Sequence, residues 1–139
     1  MKLVFADTAY WIAIFRPGDP WQLGALQANE TTQSARLVTT DEVLTEFLAA
    51  LSGPASSLRL RAARFVRGIL SDPEIQVIPQ SRDSFLKGLA LYEARPDKGY
   101  SLTDCISMAA MRAESIAHVL TNDHHFQQEG FEILMKRGG

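Results

Sequence analysis

Asp7, Glu46, Asp104 and Asp123 stand out for where they fall: each follows a short apolar run or lies in the opening turns of a helical pattern. Helix starts favour acids, so any one of them has an ordinary explanation. Asp7 and Asp123 read as N-caps, and Asp104 as the third-position acid of a capping box begun by Ser101. Glu46 is different. It lies inside its helix among Val43, Leu44, Phe47 and Leu48, where an unpaired carboxylate is costly without a cation or hydrogen bonds. If all four converge, they raise one another's pKa values unless a positive ion sits between them. Oxygen-only donors suit Mg²⁺ or Mn²⁺, whereas zinc prefers His and Cys. The chemistry expected of such a set is metal-assisted reaction at phosphate esters.

The elements must bring these acids to one place. Leu3-Val4-Phe5-Ala6 reads as a buried first strand ending at Asp7, and Ala9 to Phe15 as a helix stopped by Arg16-Pro17-Gly18-Asp19-Pro20. A second helix is expected from Pro20 to Asn29, then a strand over Leu37-Val38-Thr39. Thr39-Thr40-Asp41-Glu42 has the form of a capping box and opens a helix to about Leu51. A further helix buries Leu58, Ala62, Phe65 and Ile69, and Ile75 to Ile78 forms the third strand. Ser81 opens a helix with an expected buried face of Phe85, Leu89 and Tyr92. Ser101 opens another, carrying Ile106, Ala109, Ala113 and Ala117 toward a sheet. His118 to Thr121 is the fourth strand, and Phe131 to Leu134 the fifth after a short helix. Short apolar strands alternating with helices predict a three-layer α/β fold with a mainly parallel sheet. In such sheets the working edge lies beyond the carboxyl ends of the strands, where all four acids would emerge.

The 139-residue chain suits one domain, residues 1–139, and its 46% hydrophobic and 22% charged composition is that of a globular protein. A formal net charge of -2 gives no bulk attraction to nucleic acid, so any such binding needs a local basic patch. One is present: no acid occurs from Phe47 to Ser71, while Arg59, Arg61, Arg64 and Arg67 do. That stretch is either a solvated helix face or a surface for RNA phosphates or an acidic partner segment. The single cysteine, Cys105, excludes an internal disulfide, and no apolar run is long enough for a signal peptide or a membrane span. A cytoplasmic location is expected.

Other reactive residues have plainer readings. His124 and His125 adjoin Asp123, but neighbouring helical residues diverge by about 100°, so both are not expected to ligate one ion. His118 reads as structural, Cys105 lacks a His partner, and Ser107, one turn from Asp104, reads as a helix-surface hydroxyl with a metal-bound water as the alternative role. Thr8 could support the site. Glu42 is assigned to the capping box, Asp41 and Asp19 to a helix start and a turn, and Asp97 to a solvated loop. Trp11 and Trp21 read as core or interface anchors.

Four blocks carry a family resemblance: Asp7-Thr8 after strand one; Val43-Leu44-Thr45-Glu46-Phe47; Ser101-Leu102-Thr103-Asp104-Cys105-Ile106-Ser107; and Leu120-Thr121-Asn122-Asp123-His124-His125-Phe126 with Gly130-Phe131 beyond. In order and spacing the chain resembles the PIN-domain ribonucleases, especially the VapC-type toxins of bacterial toxin–antitoxin pairs. The resemblance implies a parallel five-stranded sheet in the order 3-2-1-4-5 and a Mg²⁺ or Mn²⁺ site of Asp7, Glu46, Asp104 and Asp123. It also implies endonucleolytic cleavage of RNA, a homodimer, and a small antitoxin that occludes the site. A non-cleaving PIN-like module that binds RNA or protein is the rival. HAD-type phosphatases fit poorly, because Asp7-Thr8-Ala9 lacks their second acid. A receiver domain fits poorly as well, because Pro79-Gln80 stands where its phospho-accepting Asp would follow strand three.

Overall fold

The computed structural model describes residues 2–136. Its strands are β1 (Leu3–Ala6), β2 (Arg36–Thr40), β3 (Ile75–Ile78), β4 (His118–Leu120) and β5 (Glu132–Ile133), all parallel and arranged in the order β3-β2-β1-β4-β5. This is the expected three-layer α/β/α fold and sheet order. The helices are α1 (Thr8–Phe15), α2 (Gln22–Thr31), α3 (Asp41–Ala50), α4 (Ser56–Ser71), α5 (Arg82–Ala94), α6 (Leu102–Ala113) and the short α7 (His124–Gln128).

The first strand is the centre of the sheet. Phe5 stands opposite Val38 of β2 on one side and Val119 of β4 on the other. Val4, Phe5 and Ala6 are fully buried, as a near-continuous apolar run in a covered parallel sheet should be. From β1 the chain moves outward through β2 to β3, then returns by α5 and α6 to β4 on the opposite side. The connections therefore diverge at the carboxyl ends of β1 and β4, the kind of crevice where open α/β sheets bind ligands.

Local chemistry shifts several expected details. Asp19 Oδ1 accepts the Trp21 N–H at 2.9 Å, forming a turn that delays α2 to Gln22 rather than Pro20. The N-cap of α3 is Thr40, whose hydroxyl accepts from the Val43 N–H, so the Thr39–Glu42 capping box does not form. Thr39 is instead buried, donating to the Ala6 carbonyl at 2.8 Å and accepting from Trp11 Nε1 at 3.3 Å. Glu42, released from that box, accepts from Ser84 Oγ at 3.3 Å.

The buried face of α5 also differs. Phe85 and Tyr92 are 37% and 49% exposed, and Gly88 is the position that meets α6. The alanines of α6 line the groove against α5, while Cys105, Met108 and Met111 enter the core. A three- to four-residue pattern alone cannot tell which side of a two-helix layer faces the sheet.

Gly88 sets how close α5 and α6 approach, and α6 carries Asp104. A Cβ at Gly88 would come within 2.3 Å of Ile106 Cγ1 and 3.1 Å of the Ile106 backbone. Gly88→Val is expected to lower unfolding free energy by about 1–3 kcal/mol through overpacking, measured by urea denaturation. An unchanged midpoint would show that the helices are free to separate.

Candidate metal centre

Asp7 continues the line of β1 by one residue: its N–H donates to the Leu120 carbonyl at 3.1 Å, extending the pairing with β4. It occupies the N-cap position of α1 but makes no side-chain cap bond. Its carboxylate points into the protein, only 5% exposed, and accepts from Thr121 Oγ1 at 2.8 Å. Burial pushes its pKa up from 3.8 to about 7; hydrogen bonds from Thr121 and the Thr8 backbone oppose that rise, and the charges of Asp104 and Glu46 add to it.

Glu46 lies half-buried inside α3, as its sequence context predicts, and accepts a short hydrogen bond from Thr8 Oγ1. Asp104 forms the expected capping box: Ser101 Oγ accepts from its N–H, and Asp104 Oδ2 accepts from the Ser101 N–H at 3.1 Å. Its pKa is raised by burial first and by the charges of Asp123 and Glu46. Asp123 caps α7, its Oδ1 accepting from the His125 N–H at 2.9 Å, while its own N–H donates to Thr121 Oγ1. Charge effects link Asp7 with Asp104 and Glu46, and Asp104 with Asp123 and Glu46, while among the described residues the donor atoms that gather within 4.8 Å of one another are those of Asp104, Asp123 and His125. Capping and membership of the cluster are compatible, because a carboxylate has two oxygens and about four lone-pair directions.

His125 also reaches this cluster, which the divergence of neighbouring helical residues did not suggest. His124 is 71% exposed at its side chain, its Nδ1 3.9 Å from Asp123 Oδ1 at the rim of the cluster. His125 turns inward, its Nδ1 3.3 Å from Asp123 Oδ1 and 3.7 Å from Asp104 Oδ2. The available signal was the Asp-x-His spacing: a side-chain cap on the second following N–H folds that residue back beside the capping carboxylate.

The corner carrying these groups is braced by Glu129, the C-cap of α7. Its nearly buried carboxylate takes Arg95 through two nitrogens at 2.9 and 3.1 Å, Arg112 at 2.6 Å and the Tyr100 hydroxyl at 3.0 Å. Burial alone would raise this carboxyl, but these hydrogen bonds bring it down to about 2. Tyr100 in turn stands edge-on to the His125 ring, with centroids 5.3 Å apart. Sequence reading passed over Glu129 because its partners are remote in the chain.

The remaining candidates fall outside the carboxylate cluster. Cys105 is buried, and burial raises its thiol pKa, the opposite of an activated nucleophile. Ser107 is fully buried rather than on the helix surface. His118 pairs with Glu132 at 2.7 Å. Trp11 is in the core. Arg59, Arg61, Arg64 and Arg67 are all exposed on α4, and among the described residues none pairs with an acid. Arg61 lies 5.5 Å above the Phe15 ring.

These residues fit a hard divalent cation. Raising Asp7 from 3.8 to about 7 makes its ionisation in the fold cost roughly 4 kcal/mol, more than one neutral hydrogen bond supplies. A cation among the carboxylates would remove that cost. Without one, Asp7 ionises in the unfolded chain near its ordinary value but in the fold only near 7. Its contribution to stability is therefore full below about pH 4 and is lost as pH rises through about 7. Thermal melts in chelator should show wild type losing stability over that interval and Asp7→Asn losing less, with the variant the more stable at about pH 8. Mn²⁺ should then raise the wild-type Tm more than the variant's. Parallel pH profiles for the two proteins would contradict this account.

A PIN domain family model matches residues 4–132. The curated proteins contain no significant match. Among solved structures, VapC20 of Mycobacterium tuberculosis, a sarcin–ricin loop cleaving toxin, superposes with a TM-score of 0.84 at 21% identity, over 96% of this chain and 99% of that one. VapBC2 from Rickettsia felis, bound to a DNA fragment from its promoter, gives a TM-score of 0.68 at 14% identity, covering 94% of this chain and 96% of that one. FitAcB from Neisseria gonorrhoeae gives 0.68 at 13%, with the same coverage of 94% and 96%. With the sheet order and the acidic edge in place, the family match is decisive: this chain belongs to the PIN domain family.

Proposed function

We propose that this protein is a metal-dependent endoribonuclease, the toxin of a type II toxin–antitoxin pair, acting in the cytoplasm as a single-domain subunit of a homodimer. The observation that carries the reading is Asp7: a carboxylate buried at the end of the central strand, within reach of the charges of Asp104 and Glu46, with its pKa pushed up to about 7. The likeness to a sarcin–ricin loop cleaving toxin supports RNA as the substrate class, and the VapBC2 and FitAcB structures support a small antitoxin as partner. Among the described residues no helix is long and apolar enough to cross a membrane.

In this reading Asp7, Glu46, Asp104 and Asp123 hold Mg²⁺ or Mn²⁺. Bound there, such an ion would supply Lewis acidity for activating water and neutralising charge at the phosphoryl group. The protein supplies the geometry. Thr121 orients Asp7 and the Asp123 backbone, Thr8 orients Glu46, and the Ser101 cap leaves Asp104 one oxygen outside its capping bond. The exposed arginines of α4 offer phosphate contacts that an overall net charge of -2 does not.

Asp7→Asn and Asp104→Asn are each expected to reduce Mn²⁺-dependent RNA cleavage by at least about a hundredfold while far-UV circular dichroism stays native. Full activity in either purified variant would sink the site. A wild type that cleaves none of a varied RNA panel with either ion would favour the non-cleaving binding module. Arg64→Ala is expected to weaken RNA binding at low salt and to flatten the dependence of log affinity on log salt by about 0.7 per lost contact. An unchanged salt slope would make α4 a merely solvated face.

A further inference from the structure

We infer that His125 is a nitrogen donor to the cation, and that it makes the site favour Mn²⁺ over Mg²⁺. This rests on the metal reading above and extends it beyond the four carboxylates.

Among the described residues, Asp104, Asp123 and His125 form a group in which one donor atom from each lies within 4.8 Å of the others. The Nδ1 of His125 is buried and makes no hydrogen bond, although Asp123 Oδ1 is 3.3 Å away and Asp104 Oδ2 3.7 Å away. An orphaned buried ring nitrogen between two carboxylates is costly and calls for a partner. Ligands of an octahedral ion with bonds of roughly 2.1 Å stand about 3 Å apart when adjacent and about 4.2 Å apart when opposite. The separations at this corner are close to those of donors sharing one ion; they run to the two oxygens that also accept the capping N–H groups, each of which keeps a second lone pair for a cation.

The ring needs little reorganisation to serve. Its backbone N–H is held by Asp123 Oδ1 at 2.9 Å, and its ring packs against Tyr100, whose hydroxyl is anchored on Glu129 at 3.0 Å. A donor fixed in place before the ion arrives spends little rotamer entropy on binding it. Nitrogen also discriminates between the two ions. Mg²⁺ takes oxygen and retains water, whereas imidazole is an ordinary ligand of transition metals. The ligating atom would be Nδ1.

The test is pulsed electron paramagnetic resonance on purified full-length protein titrated with Mn²⁺. Wild type should show modulation from a directly bound ¹⁴N that changes when histidine is labelled with ¹⁵N. His125→Phe, which keeps a ring against Tyr100, should lose the signal. In the same variant Mn²⁺ affinity measured by calorimetry should fall on the order of tenfold, and Mg²⁺ affinity by less than about threefold. Bound Mn²⁺ without nitrogen coupling, or equal loss for both ions, would overturn the role of His125 and leave the carboxylate site standing. Failure of wild type to bind either ion would remove the metal reading itself, and this inference with it.

Discussion

At the carboxyl end of β1 a carboxylate has been taken out of water, and the cost of ionising it there shapes its surroundings. Asp7 cannot move away, because its N–H is tied to the Leu120 carbonyl and its side chain to Thr121. Nor do its neighbours help it ionise: Asp104 and Glu46 add charge of the same sign. A hydrophobic core has no use for such an arrangement, since buried charges persist where something compensates them. The sheet order provides the position. The central strand has two strands on each side, so a carboxylate at its end is enclosed and still faces the crevice between diverging connections.

Around Asp7 the same few polar groups serve folding and site geometry together. Thr121 bonds the Asp7 side chain and the Asp123 backbone, joining the ends of β1 and β4. The Ser101–Asp104 capping box starts α6 and, in doing so, fixes the rotamer of Asp104. Asp123 starts α7 by a bond that also brings the His125 ring alongside. A helix of five residues has little stability of its own; α7 is held because Glu129 at its end is gripped by Arg95, Arg112 and Tyr100.

Much of this was legible in the chain. The strands declared themselves as short apolar runs between turn signals, and Glu46 was conspicuous because no capping rule explains an acid among Val43, Leu44 and Phe47. What stayed hidden depended on contacts distant in sequence. Thr39 looked like a helix cap, yet the carbonyl of Ala6 and the indole of Trp11 claim its hydroxyl. Phe85 and Tyr92 looked like core, but α5 meets its neighbour through Gly88, a residue with no hydrophobic signature. His125 was obscured by treating α7 as a regular helix, when its first turn is governed by the Asp123 cap.

The bond between Thr121 and Asp7 spans 114 positions in the chain. Synthesis delivers Asp7 long before Thr121 and the neighbouring Asp123. Until β4 arrives, the central strand lacks one of its two neighbours and presents an open edge where pairing should be. Such long-range closure is slow compared with helix formation, because the loop entropy is lost before the contact forms. The assembled acidic edge thus cannot form before β4 does. A partly synthesised or truncated copy carries Asp7 and Glu46 without their partners. Whatever chemistry this edge performs is withheld, by topology alone, until β4 has been made and has paired with β1.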